Sequence, residues 1–173
     1  MVSGDAMATV SLAAAAPDDL DALVALRIDA MRESLERIGR FDPVRARERF
    51  VSGFTAAYTR HILSGDERVG FVVVRPGDGE LLLDHLYVRP GSQGRGVGAA
   101  VLALVFAEAD AAVLPVRVGA LRDSASNRFY LRHGFQLVER GEFDNYYVRR
   151  VRGTADPCRR HTPTAKPGAT GVG

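Results

Sequence analysis

The run Gln93-Gly94-Arg95-Gly96-Val97-Gly98 has the residue types and spacing that point most directly to chemistry. It follows an apolar strand-like segment, Leu81 to Val88, and then Arg89-Pro90, and it opens an apolar helix. Glycines at such a junction let the backbone approach a ligand closely. The first N–H groups of the helix have no internal acceptor and carry the positive end of its dipole. That combination holds phosphate oxygens. Two phosphate devices fit poorly. Gly94-x-Gly96-x-x-Ala99 matches the dinucleotide fingerprint, but Pro90 and three further residues separate it from the strand, and no acid stands at Leu114 to take a ribose. A P-loop needs Gly-Lys-Ser/Thr, and none follows.

A second constellation lies downstream: Asp123-Ser-Ala-Ser-Asn127-Arg-Phe-Tyr130-Leu-Arg-His-Gly134-Phe135. A strand-like segment, Val113 to Ala120, separates the two. Gln93-x-x-Gly96-x-Gly98 after a strand ending in Val-x-Pro resembles the acetyl-CoA pyrophosphate signature of the GNAT superfamily of N-acetyltransferases. The downstream run resembles that superfamily's second signature, in which a helix carrying Asn and Phe-Tyr ends in a Gly-Phe that starts the next strand. Both stand in the expected order, and the resemblance covers roughly Val10 to Arg150.

The resemblance implies direct transfer of acetyl from acetyl-CoA to a primary amine. It implies that backbone groups of Leu86 and Val88 hold the pantetheine arm. The amides of Gln93, Gly94, Arg95, Gly96, Val97 and Gly98 would take the pyrophosphate, and Arg95 would add a guanidinium suited to phosphate. It places Tyr130 as the acid that protonates the departing sulfur. A phenol of pKa ~10 protonates a thiolate whose acid has pKa ~8.5 uphill by about 2 kcal/mol, which positioning in a dry site must offset. Asn127, one helical turn before Tyr130, would hydrogen-bond the coenzyme. The commoner family pattern has Asn seven residues before the tyrosine, where this chain has Asp123. Phe129 and Phe135 are expected in the core.

The base is open between Asp84 and His85. Strand alternation groups Asp84 with Leu86 and Val88, and His85 with Leu83 and Tyr87. Either side chain would sit one strand step from a thioester and could accept the amine proton. In this fold the first helix and its break wall the acceptor pocket, which brings in Arg32, Glu33, Glu36, Arg40 and Asp42. Glu33 and Glu36 there would favour a cationic amine. Tyr146 and Tyr147 alternate on the last strand, so only one can face the cleft.

These groups need elements to position them. Thr9 to Ala14 reads as a strand. Pro17-Asp18-Asp19 starts a helix, with proline in the first turn and acids at its positive end. Leu20, Val24, Ile28, Met31 and Leu35 follow at helical spacing. Gly39 to Pro43 breaks that helix, and a second runs from Pro43 to about Phe54. Tyr58 to Leu63, Arg68 to Val74 and Leu81 to Val88 read as antiparallel strands. The helix after the glycine run is expected to bury Val97, Val101, Leu104 and Val105. Asp123 or Ser124 caps the next helix. Phe135 to Arg140 and Phe143 to Arg150 close as a hairpin. The fold class is α/β: a GNAT-like mixed, mostly antiparallel central sheet with helices on both faces.

At 173 residues, 46% hydrophobic and 25% charged, the chain suits one globular domain, here residues 9–152. Residues 1–8 read as a flexible N-terminus and 153–173 as a disordered basic tail. Five arginines and Lys166 against one acid, Asp156, lie from Arg149 onward, which leaves residues 1–148 with 17 basic and 20 acidic residues. That acidic domain argues against a nucleic-acid partner, except through the tail. No apolar run approaches ~20 residues, so no membrane partner is expected. No signal peptide is evident, and one cysteine, Cys158, suits a reducing, cytoplasmic compartment. His61, His85, His133 and His161 lack ligand spacing, so no metal is expected. The acceptor would be a small molecule (an amino acid, polyamine or aminoglycoside) or a peptide or protein amine, and a homodimer is compatible with the resemblance. The other classes left open are a non-catalytic acyl-CoA-binding regulatory domain and a nucleic-acid binder working through the tail.

Overall fold

The computed structural model describes residues 8–152. The expected tail with Cys158 and His161, and residues 1–7 of the expected N-terminal segment, lie outside the described residues.

Runs of β-branched and aromatic residues form seven strands: β1 (Val10–Ala14), β2 (Thr59–Ser64), β3 (Glu67–Pro76), β4 (Leu81–Val88), β5 (Val116–Leu121), β6 (Gln136–Arg140) and β7 (Asp144–Arg149). They make one sheet in the order β1-β2-β3-β4-β5-β7-β6. Every pairing is antiparallel except β4 with β5. The fifth strand is shorter than expected, because Val113, at φ 57°, belongs to the turn leaving the preceding helix.

Four helices cover the sheet: α1 (Leu20–Arg37), α2 (Pro43–Gly53), α3 (Val97–Ala111) and α4 (Ser126–Arg132). Asp42 caps α2, its Oδ1 accepting from the Arg45 N–H at 3.1 Å, with Pro43 at the first helical position. Neither Asp123 nor Ser124 caps α4; the residue before that helix is Ala125, and no side chain closes its end.

Two apolar clusters lie on opposite faces of the sheet. Leu23 and Val24 of α1 and Phe50 of α2 pack on Phe71 and Val73. Val101, Leu102, Val105 and Ala109 of α3 and Tyr130 of α4 pack on Leu83, Val116, Val118 and Tyr147. Leu102 is fully buried there, whereas Leu104, expected inside, is 37% exposed. Phe71 is fully buried and touches Phe50, His85 and Tyr87. Truncating such a side chain to alanine costs about 3–5 kcal/mol.

A polar lock joins the start of α1 to β2. Asp19 accepts from the Ala16 N–H at 2.8 Å, lies 2.9 Å from His61 Nε2 and pairs with Arg68 at 3.3 Å. The Ala16 N–H first, and then His61 and Arg68, lower the Asp19 carboxyl from an ordinary 3.8 to about 2. The folded state therefore favours the carboxylate, and that stabilisation is complete above pH 3.8 and lost as pH falls through 2. Asp19→Asn is expected to lower Tm at neutral pH. The gap from wild type should close between pH 3.8 and pH 2, and a gap independent of pH would contradict the lock.

Candidate active site

β4 and β5 pair only over Leu81↔Val116, Leu82↔Arg117 and Leu83↔Val118. Beyond that point β4 stays on β3 as far as Gly70↔Val88, and β5 stays on β7 as far as Leu121↔Asp144. The two halves of the sheet therefore part, and the edge of β4 from Asp84 to Val88 has no strand beside it. The Arg89 N–H donates to the Val69 carbonyl at 2.8 Å. Backbone direction alternates along a strand, so Tyr87 also faces β3 while Leu86 and Val88 face the opening. The Val88 carbonyl accepts from Gln93 Nε2 at 2.8 Å. This leaves the Leu86 N–H and carbonyl and the Val88 N–H directed into the gap.

The glycine run stands at the mouth of that gap. Gly94 and Gly96 have φ of 73° and 78°, a conformation that strains any side-chain-bearing residue. Through them the chain turns so that α3 begins at Val97. Among the described residues, no N–H from Gly94 to Ala99 donates to a backbone carbonyl. Gly94, Arg95 and Gly96 are exposed, whereas the Val97 side chain is buried under the loop. Gly98 is small for another reason: a Cβ there would stand 3.1 Å from the Phe129 ring. Arg95 has no carboxylate partner among the described residues.

Asp84 marks an irregularity. Val74 pairs with Leu83 and Val73 with His85, so Asp84 is an extra residue in β4. This bulge corrects the expected alternation. Leu83, Leu86 and Val88 pack on the α3 cluster, while His85 and Tyr87 lie against Phe71 on the α1–α2 side. Asp84 does not share a face with Leu86 and Val88. Its Oδ2 accepts from Arg75 Nε at 2.8 Å, and Arg75 also donates to the Gly53 carbonyl. Asp84 Oδ2 lies 3.7 Å from His85 Nε2, so the bulge brings the two candidate bases together.

His85 sits among Phe50, Phe71 and Tyr87, with ring centroids 5.3, 6.4 and 5.8 Å away. Burial lowers its imidazole from 6.5 to about 4, with Arg27 and Arg75 adding to the fall and Asp84 opposing it. Tyr130 is buried in α4 beside Phe129, Phe135 and Tyr147. Burial first, and Tyr87 second, raise its phenol well above the ordinary 10.

Asn127 is closed within the protein. Its Nδ2 faces the carbonyls of Leu121, Arg122 and Ser124 at 2.8, 3.0 and 2.8 Å. Its Oδ1 accepts from Asn145 and from the Tyr147 hydroxyl at 3.0 and 2.7 Å. An amide offers two donors and two acceptor sites, so none is left for the expected coenzyme contact. Asn127 instead pins β5, β7 and the start of α4 together under Tyr130.

A groove of about 1170 Å³ runs along the α1–α2 side of the parting, lined by Arg27, Met31 and Leu35 of α1, by α2, by Leu82 to His85, and by Tyr87 and Tyr146. Tyr146 is thus the tyrosine of β7 that faces the groove, while Tyr147 faces the core. Arg40 and Asp42 line it as expected; Arg32, Glu33 and Glu36 do not. Those three lie on the exposed side of α1 in helical ion pairs, Arg32 with Glu36 at 3.8 Å and Glu33 with Arg37 at 3.0 Å. The buried charged residue of the groove absent from the sequence reading is Arg27. Its signal was present: Leu23, Arg27 and Met31 recur four apart, which sets a charge on an apolar face. Among the described residues, His, Cys, Asp and Glu form no group of three that could hold a metal, and no helix is long and apolar enough to cross a membrane.

The family model for the acetyltransferase (GNAT) domain matches residues 53–137, from the end of α2 into β6. No curated protein matches the sequence. Among solved structures, the PaiA N-acetyltransferase of Thermoplasma acidophilum, in complex with coenzyme A, is similar at TM-score 0.67 and 12% identity, over 82% of this chain and 99% of that one. An acetyltransferase from Thermus thermophilus is similar at TM-score 0.65 and 21% identity, over 83% and 97%. The ribosomal-protein-S18-alanine N-acetyltransferase of Escherichia coli is similar at TM-score 0.61 and 16% identity, over 86% and 98%. At those identities the likeness is one of fold. Taken together, the family match and the shared fold show that this chain carries a GNAT acetyltransferase domain.

Proposed function

We propose that the protein transfers acetyl from acetyl-CoA directly to a primary amine, with Tyr130 as acid and His85 as base. The observation that carries this reading is the row of undirected N–H groups from Gly94 to Ala99 at the mouth of the parted strands. A pyrophosphate fits there: the N–H groups donate to its oxygens, the α3 dipole favours its charge, and Arg95 adds a cation. The free groups of Leu86 and Val88 then bond the amides of the pantetheine arm as a further strand would.

When bound, acetyl-CoA supplies a thioester whose carbonyl carbon is attacked by the amine lone pair, with the C–S bond breaking to release a thiolate. Tyr130 donates its phenolic proton to that sulfur. Burial that raises the phenol also disfavours a thiolate in the same dry surroundings, so the gap between donor and acceptor stays near the about 2 kcal/mol of the free groups. His85 is neutral at physiological pH, with a lone pair free to accept. It takes the amine proton once the nitrogen has bonded to carbon, when that proton becomes acidic. Asp84, held by Arg75, stabilises the resulting imidazolium.

Tyr130→Phe is expected to lower kcat by about 100- to 1000-fold with acetyl-CoA affinity within about twofold of wild type. Unchanged turnover would remove Tyr130 as the acid. A wild-type protein that binds acetyl-CoA but releases no thiol with any amine would be an acyl-CoA-binding domain instead. The His85 ring should titrate by NMR near pH 4, and a midpoint near 6.5 would contradict its dry setting. Gly96→Ala should weaken acetyl-CoA binding by roughly 10-fold or more, since the left-handed turn strains a Cβ by about 1 kcal/mol and shifts the N–H row.

A further inference from the structure

The groove beside His85 carries a charge that says what its occupant is. Six arginines line it (Arg27, Arg40, Arg45, Arg49, Arg75, Arg117) against three aspartates (Asp42, Asp84, Asp144). Two of the arginines are matched: Arg75 by Asp84 at 2.8 Å and Arg117 by Glu139 at 3.3 Å. Arg27, Arg40, Arg45 and Arg49 have no carboxylate partner among the described residues.

Arg27 is the decisive one. It is 9% exposed, and a guanidinium so buried ordinarily faces an acid. Its Nη1 donates to the Ala46 carbonyl at 2.8 Å, while its buried Nε has no acceptor. The guanidinium carbon lies 5.9 Å from the Phe50 ring centroid and 5.7 Å from that of Tyr87. The His85 ring flanks the same two rings at 5.3 and 5.8 Å. An unmatched cation and the proposed base therefore stand side by side on one aromatic floor.

We infer that the acceptor is a small amine bearing its own carboxylate, an amino acid, with the carboxylate on Arg27 and the amine turned toward His85. This rests on the transferase reading above. The carboxylate gives the Arg27 guanidinium the anionic partner it lacks, in a partly dry site where a charge-assisted bond is strong. The short span from amine to carboxylate in an amino acid suits two groups sharing two rings. Arg40, Arg45 and Arg49 on the exposed wall draw an anion in from solution. Polyamines and aminoglycosides, which carry several positive charges, are repelled by the same wall.

The test measures thiol release by the full-length protein with acetyl-CoA and an acceptor panel: the common amino acids, their methyl esters, spermidine, kanamycin and a lysine peptide. At least one free amino acid should exceed its methyl ester, and every polycation, by roughly 10- to 100-fold in kcat/KM. Arg27→Gln should raise KM for that amino acid by a similar factor, and so narrow its lead over the ester, while leaving the KM for acetyl-CoA in place. Should Arg27→Gln fail to fold, the exposed pair Arg45→Gln and Arg49→Gln should raise the same KM and flatten its dependence on salt. Equal or faster use of an ester, spermidine, kanamycin or the peptide overturns the carboxylate assignment and leaves acetyl transfer standing. No turnover of any amine by protein that binds acetyl-CoA overturns both.

Discussion

The parting of β4 from β5 is the constraint on which the rest of the structure depends. A sheet interior normally satisfies every backbone group of a strand, and an unpaired edge within it is unstable unless something fills it. Here the two strands run in parallel for three pairs and then diverge. Apart from the bulge at Asp84, each stays paired on its outer side, β4 to β3 and β5 to β7. The opening is therefore held by two intact half-sheets rather than by a loose segment. Its unpaired groups at Leu86 and Val88 face the gap between the half-sheets, and the glycine run follows the end of β4.

That opening divides the chemistry between the two faces of the sheet. On the α3–α4 side lie the open amides of the glycine run and Tyr130, the groups proposed to take a coenzyme and its leaving sulfur. On the α1–α2 side lie His85, Asp84, Tyr87 and Arg27, the groups that suit an acceptor. The bulge at Asp84 makes this division work. Without the extra residue, alternation would turn Asp84 toward the α3 cluster, away from His85. With it, acid and imidazole stand 3.7 Å apart, and Arg75 ties the acid to the end of α2. Asn127 has the matching role across the gap. By closing its hydrogen bonds on β5, β7 and the α4 entry, it fixes the helix that carries Tyr130.

Much of this was legible in residue types. Glycine spacing after a strand announced the amide row, because only a left-handed turn at Gly94 and Gly96 makes it. The roles given to Leu86, Val88 and Tyr130 came from the resemblance alone; what the geometry adds is that Leu86 and Val88 lie on the unpaired stretch of β4 and that Tyr130 is buried. Other features were illegible for physical reasons. A one-residue bulge leaves no mark in an apolar strand, so the faces of Asp84 and Leu83 were misjudged. Asn127 had the right type and spacing for a ligand contact, but its partners are the carbonyls at the end of β5 and in the turn after it, together with β7, which no local pattern reveals. Glu33 and Glu36 sit on the pocket helix, yet they point away from the groove, since the inward face of α1 is the one bearing Leu23, Arg27 and Met31. The positive groove is assembled from α1, α2, β3 and β5, and its charge appears only when those elements meet.

The most direct test of the central claim, that the glycine run and the parted strands form an acetyl-CoA site, is isothermal titration of the full-length protein with acetyl-CoA, with NADH as control. The two ligands share an adenosine pyrophosphate but differ in the arm that would lie along Leu86 and Val88. Saturable micromolar binding of acetyl-CoA with no binding of NADH is the predicted result. Equal binding of both, or binding of neither, would contradict it.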